Sequence, residues 1–436
     1  MEAYVTIIYY LAAAVAIAQV LLLGLQTWEH RRYVRSCMKN MDRHQPSGRA
    51  ILCAPCKGND IDLEDNLRAL MEQDYDDYEI AFIVESEMDP AVPTIRRVMA
   101  DHPWLSARLV IAGKAVDCGQ KVHNLRVATR HLSPRIEYLA FVDSDARPRP
   151  EWLRMLVSHL GKPGLGAITG YRWFVPQSDS VANRALYSLN CDLMALLGRS
   201  SHYLIWGGSW AIRREVFELV GLHSAWKNAL SDDLIASRVL RQAGLEVRFE
   251  PACVVASPID GTFREALSFV RRQYLLGKFY VRDWWMFAVL GFSVTNLLWL
   301  GNLAMFVWSL LGGPISPWIP AGVATLLYSV RVCRGTMRQK LVEVYFPHLK
   351  KSLRASRRFD IWFNVLVGLF HWWAVISTAV GKQVKWRGIS YELSAAGKIE
   401  SIWRSDEPTI LPLASLLRRY PMTPRRFWLP KEKVGA

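Results

Sequence analysis

Two carboxylates one residue apart, Asp143 and Asp145, close the apolar run Tyr138-Leu-Ala-Phe-Val-Asp-Ser-Asp. Such a run reads as a buried strand, and its C-terminal end lies at the rim where open α/β sheets hold their ligands. There the two acids can converge on a divalent cation, Mg2+ or Mn2+, and on a diphosphate that the cation bridges. The plain alternative is a turn, since Asp and Ser open turns and Pro148 and Pro150 follow. A second acidic pair, Asp232-Asp233, follows Ser231 at the start of a helical pattern that ends at Gly244. Capping accounts for one carboxylate there and not for two. Asp233, with Asp232 beside it, is therefore the candidate general base, which takes the proton of an attacking hydroxyl. Lys121, in Gly119-Gln-Lys-Val-His-Asn124, opens another helix, where free N–H groups and an ammonium make an anion site. His123 in the same stretch reads as a structural histidine.

These residues need a scaffold that gathers strand ends. Residues 50–56 form a short apolar run closed by Pro55-Cys-Lys57-Gly58-Asn-Asp60, and a helical pattern from Leu63 to Met71 follows. Tyr78 to Val84 repeats the arrangement and ends in Glu85-Ser-Glu87-Met-Asp89, and Ala107 to Ala112 gives a third strand. Strands alternating with helices predict an α/β fold with a mostly parallel sheet covered on both faces. Gly207 and Gly208 precede a short apolar strand, where glycine allows close approach of backbone to a ligand or makes a plain turn. Residues 178–200 carry apolar positions at helical spacing and read as core.

The chain is long enough for a large domain and a second region, and its 51% apolar residues exceed the norm for a soluble protein. Tyr4 to Gln26 carries no charge and matches the roughly 20 residues that span a bilayer. Arg31, Arg32, Arg35, Lys39 and Arg43 follow it, which puts that flank on the cytoplasmic side and the N-terminus outside. Trp284 and Trp285 mark an interface, Trp285 to Leu311 is long enough to span, and Ile315 to Val330 reads as a return helix. Residues 331–359 form a basic loop expected to touch anionic lipid headgroups. Ile361 to Val380 is again apolar, and four simple crossings would carry the basic tail outside; either one segment does not span, which is the favoured reading, or the tail is translocated. The net charge of +15 has neither a recognition-helix pattern nor a zinc spacing with it, so nucleic acid is not the expected partner. Cys53-x-x-Cys56 lacks a second pair, and the seven cysteines read as reduced structural thiols.

Taken in order, Pro55-Cys-Lys-Gly58, Glu85-Ser-Glu-Met-Asp89-Pro90, Gly119-Gln-Lys121-Val-His-Asn124, Asp143-Ser-Asp145 and Asp232-Asp233 resemble the ceramide glucosyltransferase family of membrane glycosyltransferases. Val384-Lys-Trp386-Arg387-Gly388 resembles the family's closing stretch. The resemblance implies an inverting enzyme of the GT-A type: a mixed, mostly parallel sheet with helices on both faces, plus one N-terminal and two to three C-terminal transmembrane helices. It implies a UDP-sugar donor, a membrane lipid acceptor and Mg2+ or Mn2+. Asp143 and Asp145 would hold metal and sugar, Asp233 would be the base, and Lys121 would face the diphosphate. Pro55, Lys57, Glu85, Glu87, Asn124 and Gly208 would line the nucleotide-sugar site. The family closes its catalytic set with Gln or Arg, two residues, then Arg-Trp, where this chain has Val270-Arg271-Arg272-Gln273-Tyr274. Arg271 or Arg272 would meet the diphosphate and Gln273 and Tyr274 the acceptor.

The expected organisation is a transmembrane helix over 1–28, a basic linker over 29–48 and a cytoplasmic catalytic domain over 49–283. A membrane region over 284–382 and a basic tail over 383–436 follow. A multi-pass protein of a bacterial inner membrane, or of Golgi or endoplasmic reticulum, is implied. A processive polysaccharide synthase would share the carboxylates, and a non-catalytic binding protein would share the fold.

Overall fold

The computed structural model describes residues 2–200 and 203–404. Seven strands, β1 (Arg49–Pro55), β2 (Tyr78–Val84), β3 (Ser106–Ile111), β4 (Ile136–Val142), β5 (Leu165–Pro176), β6 (Ser209–Arg213) and β7 (Glu246–Ile259), form one sheet in the order β3-β2-β1-β4-β6-β5-β7. Every neighbouring pair is parallel except the two that involve β6. The apolar runs are continuous because both faces are covered. Leu52 and Ala54 pack with Leu67, Leu70 and Leu153 on one side, while Ile51 and Cys53 pack with Val122 and Leu125 on the other. This is the α/β architecture that the alternation of elements predicts.

The reversal of β6 matters for the site. Val142 at the end of β4 pairs with Ser209 at the start of β6. The loop that precedes β6, Trp206-Gly207-Gly208, therefore lies beside Asp143, at the rim where β1, β2 and β4 also end.

Two helices, Glu2–Lys39 and Arg282–Leu310, are long and apolar enough to cross a membrane. Tyr9 donates to Asn302 Oδ1 at 2.9 Å and Gln19 to Thr295 Oγ1 at 2.8 Å, which fixes the two against each other. The return helix runs from Trp318 to Gln339, beyond the expected boundary at Val330. Its extra turns take in Arg334 and Arg338, which are buried and bound to Asp192 and Asp360. These two arginines thus depart from the expectation of a basic loop against lipid headgroups. Their four-residue spacing puts them on one helix face, opposite Asp192, which lies 142 residues from Arg334, and Asp360, 22 residues from Arg338. Lys350, Lys351, Arg354 and Arg358 are exposed. The last apolar stretch is broken: the helices Arg354–Trp362 and Asn364–Ala379 meet at 80°, the shape of a broken span or a re-entrant loop.

Residues 383–404, expected to belong to a basic tail, form a three-stranded antiparallel sheet from β8 (Gln383–Trp386), β9 (Ile389–Leu393) and β10 (Ile399–Arg404). Arg387 (φ 45°) and Gly388 (φ 79°) make the two-residue turn between β8 and β9, where both positions require positive φ. Val384, Ile389, Tyr391 and Leu393 join the core that covers one face of the main sheet. The Tyr391 hydroxyl accepts a bond from Gln120 N at 3.2 Å, so this small sheet braces the helix that carries Lys121. Residues 405–436 lie outside the described residues.

Candidate active site

The turn after β4 is held from below. Ser144 donates to Asp60 Oδ2 at 2.6 Å, and Asn66 Nδ2 donates to Ser144 O at 3.1 Å. That leaves Asp143 and Asp145 to face outward along the rim. Lys121, on the helix Gln120–Ala128, reaches across: its Nζ lies 2.8 Å from Asp143 Oδ1 and 3.2 Å from Asp232 Oδ1, and it donates to Gly207 O at 3.1 Å. Burial works against this ammonium, but Asp143, Asp232 and Asp233 together hold its pKa well above the ordinary lysine range. Burial likewise opposes ionisation of Asp143, yet Lys121 and Arg172 pull it below the usual carboxylate value. Asp145 goes the other way, raised by burial that Arg172 offsets only in part, with Asp143 and Asp60 adding repulsion.

The second acidic pair starts the helix Asp232–Gln242, and Ser231 caps it by accepting from Leu234 N. The two acids divide. Asp233 borders the cavity; its Oδ2 accepts from Gly207 N at 2.9 Å, and its Oδ1 accepts from Leu234 N at 2.8 Å and from the Ser231 hydroxyl. Asp232 is buried behind it with Oδ2 unbonded, and burial, partly offset by Lys121, lifts its pKa to about 7. Glycine is required twice in the loop above. A Cβ on Gly207 would fall 2.9 Å from Asp233 Oδ2, and one on Gly208 would fall 2.3 Å from the Trp206 ring and 2.7 Å from Asp143 Oδ2.

The other sequence candidates separate in the same way. Pro55, Lys57 and Asn124 line the cavity. Glu85 sits between Lys57 Nζ at 3.0 Å and Arg404 Nη1 at 2.5 Å. Glu87 is exposed and bound to Arg96, away from the rim. On the helix Phe263–Tyr280, Arg271 donates to Ser377 O and Val380 O at 3.2 and 3.3 Å and does not reach the site. Adjacent helical residues differ by about 100° in direction, so Arg272 points to the rim instead. It stacks 5.3 Å from both the Phe269 and Trp386 ring centres. Burial, with Arg172 and Arg387 close by, pushes its pKa down to about 10. Gln273 and Tyr274 line the cavity, and Tyr274 pairs with His371 Nε2.

Three cations that the sequence did not mark as site residues also reach this rim. Arg172, on β5, lies 3.3 Å from Asp143 Oδ2 and 3.5 Å from Asp145 Oδ2, with its guanidinium 4.7 Å over Trp206. Arg387, at the β8–β9 turn, binds Asp60 Oδ1 at 2.7 Å and Lys57 O at 2.5 Å. Arg404 holds Glu85 and Gln120 Oε1. A single arginine inside the otherwise apolar Ala167-Ile-Thr-Gly-Tyr-Arg172-Trp-Phe was the signal available for the first. Arg387 stood inside the closing Trp-Arg motif, and nothing local marks Arg404.

Asp145 Oδ1 is buried with no hydrogen-bond partner among the described residues. A carboxylate oxygen left open beside a second acid is the donor chemistry that Mg2+ or Mn2+ takes, so the pair fits such an ion. One cavity of about 950 Å3 joins this rim to the apolar helices, bordered by Lys121, Asp143 and Asp233 at one end and by Trp284, Trp299 and Leu327 at the other.

Paired acids at a parallel-sheet rim, a buried lysine and a further acid at a helix start are thus gathered at one end of this cavity. Residues 8–399 match the family described as Glycosyl transferase family 21. The chain belongs to that family. It is 30% identical over 97 residues to ceramide glucosyltransferase 1 of Caenorhabditis elegans, a match spanning 22% of this chain and 20% of the relative. To ceramide glucosyltransferase 3 of the same organism it is 30% identical over 76 residues, 17% of each chain. Similar solved structures include a mannosyltransferase of Pyrobaculum calidifontis in complex with GDP-Man and Mn2+, at 18% identity over 81% of this chain and 99% of that one, TM-score 0.41. Glucosyl-3-phosphoglycerate synthase of Mycobacterium tuberculosis, with Mn2+, UDP and phosphoglyceric acid, matches at 16% identity over 52% and 76%, TM-score 0.33.

Proposed function

We propose that this protein transfers a sugar, glucose first, from a UDP-sugar to a hydroxyl of a ceramide-like or other membrane lipid, with inversion at the anomeric carbon in a GT-A type site. The observation that carries the reading is the single cavity running from the charged rim to the apolar helices. A nucleoside diphosphate needs cations and a lipid chain needs hydrocarbon, and this cavity offers both in one continuous space. In this reading the catalytic domain and the polybasic flank after the first helix face the cytoplasm of a multi-pass protein. The exposed lysines and arginines of residues 350–358 meet anionic headgroups.

Asp143 and Asp145 would hold Mg2+ or Mn2+, which when bound supplies positive charge to the departing diphosphate. Lys121 and Arg272 meet the diphosphate oxygens, and Arg172 orients the two acids beneath it. Pro55, Lys57, Glu85 and Asn124 flank the nucleoside end, and the Gly207-Gly208 backbone lets the sugar lie close to Asp143. Asp233, fixed by Gly207 N and Leu234 N, accepts the proton of the acceptor hydroxyl as that oxygen attacks the face opposite the diphosphate. Asp232 positions Lys121 and does not touch substrate. Gln273 and Tyr274 border the acceptor side.

The test is transfer of labelled sugar from UDP-glucose, UDP-galactose and UDP-N-acetylglucosamine to membrane lipid extract, with Mn2+ and Asp233→Asn as control. Labelled lipid from wild type and none from the variant is the expected result. Label in long polymer would assign a processive synthase, and no transfer from any donor would assign a non-catalytic protein.

A further inference from the structure

Among the described residues four carboxylates border the cavity, Asp143, Asp145, Asp233 and Asp192, and the proposed reaction uses the first three. Asp192 lies on the helix Val181–Met194, in a stripe with Leu189, Leu193 and Leu196 that faces the cavity at helical spacing. A lone acid in such a stripe stands where a lipid chain would otherwise meet only hydrocarbon. Its side chain is 36% exposed. Arg338 Nη1 at 3.1 Å and Arg334 Nη2 at 3.2 Å both bind the same oxygen, Oδ1. No donor reaches Oδ2 within hydrogen-bond distance among the described residues.

The carboxylate is charged and held in place. Burial opposes its ionisation, yet Arg334 and Arg338, with smaller contributions from His371 and Arg331, keep its pKa below the usual carboxylate value. Two guanidiniums on one oxygen fix the group, so Oδ2 is a preorganised, charged acceptor, the kind that makes the stronger hydrogen bonds. Its place in the cavity is on the acceptor side. Tyr274, two residues past the rim-facing Arg272, is within electrostatic range of both Asp192 and Tyr171, and the Tyr171 ring is 5.9 Å from that of Trp206, next to Gly207. Tyr274 and His371 bind each other and so do not compete for Oδ2.

We propose that Asp192 Oδ2 is a specificity subsite that accepts a second hydrogen-bond donor of the acceptor lipid, an amide N–H or a further hydroxyl. This rests on the lipid-acceptor reading and narrows it: the acceptor is a neutral lipid with at least two donors, one hydroxyl presented to Asp233 and another donor to Asp192. A lipid with a single free hydroxyl and ester carbonyls fills the same apolar limb but leaves Oδ2 unmet.

Full-length wild type and Asp192→Asn are assayed in detergent micelles with labelled UDP-glucose and Mn2+. The acceptors are N-oleoylsphingosine, its N-methyl and 3-O-methyl derivatives, and dioleoylglycerol, with membrane lipid extract run alongside. One hydrogen bond to a charged acceptor predicts a kcat/KM roughly 10- to 100-fold higher for N-oleoylsphingosine than for dioleoylglycerol. One of the two methyl derivatives should lose that advantage, which identifies the donor as N–H or O–H. In Asp192→Asn the amide oxygen stays with the two arginines and the NH2 turns to the cavity, so the advantage should disappear. A merely structural Asp192 would lower transfer to every acceptor by one factor and leave their ratio intact. Equal transfer to N-oleoylsphingosine and dioleoylglycerol, transfer to neither, or a ratio that survives Asp192→Asn overturns the subsite. Should the variant not fold, undiminished transfer to both methyl derivatives by wild type overturns it alone. The parent reading fails separately, on the absence of labelled lipid from the extract.

Discussion

Lys121→Met keeps the length of the side chain and removes one charge from between two buried acids. In the wild type the ammonium, 12% exposed, serves Asp143 at 2.8 Å, Asp232 at 3.2 Å and Gly207 O at 3.1 Å. Without it Asp143 retains Arg172 at 3.3 Å, and Asp232 retains no cation within 4.0 Å among the described residues. Removing one partner of a buried ion pair costs roughly 3–5 kcal/mol, most of it from the charge left behind. The pH dependence follows from the shifts. The raised Lys121 contributes fully below its ordinary value of 10.5 and is lost as pH climbs through its higher folded value. The depressed Asp143 contributes above 3.8 and is lost as pH falls through its lower folded value. In the variant the stranded acids escape by taking up protons, and Asp232, already lifted to about 7, does so first. Thermal unfolding in detergent should show the variant destabilised strongly at pH 8 and less at pH 5. A loss of equal size at both pH values, or one below about 1 kcal/mol, refutes the idea that Lys121 acts by neutralising these acids.

Gly208→Ala drives a methyl group to 2.3 Å from Trp206 and 2.7 Å from Asp143, so transfer activity should fall sharply, with roughly 1–3 kcal/mol of strain visible in unfolding. Asp145→Asn should weaken Mn2+ binding as followed by electron paramagnetic resonance, without lowering the melting temperature, because burial raises the pKa of this carboxylate in spite of the Arg172 contact at 3.5 Å, so its charge costs stability above the ordinary carboxylate value. Glu250, a buried residue of β7, has its pKa raised to about 7 from 4.5 by burial, partly offset by the Ala252 amide. A raised carboxylate stabilises fully below 4.5 and loses that contribution as pH rises through 7. Glu250→Gln should therefore gain stability at pH 8, by at most about 3 kcal/mol, and little at pH 5.

The acids and the lysine were readable because each one ends a strand or begins a helix, where local pattern and position in the sheet coincide. Asp143 and Asp145 follow a run whose only sensible state is a buried strand, and Lys121 and Asp233 follow turn residues that start helices. What could not be read is pairing over distance. Arg172 looks like a defect in an apolar strand until β5 lies beside β6, and Arg387 and Arg404 reach the rim only after β8–β10 fold back onto the core. Arg334 and Arg338 counted as loop charge because Asp192 lies more than a hundred residues away. Helical phase decided between Arg271 and Arg272, since a basic run does not show which side of its helix faces the rim.

Proton NMR of the product lipid made from α-linked UDP-glucose tests the central claim most directly, because one displacement aided by Asp233 must invert the anomeric centre. A β-linked glucosyl lipid, absent with Asp233→Asn, is the predicted result. An α-linked product, or β-linked product undiminished in the variant, contradicts it.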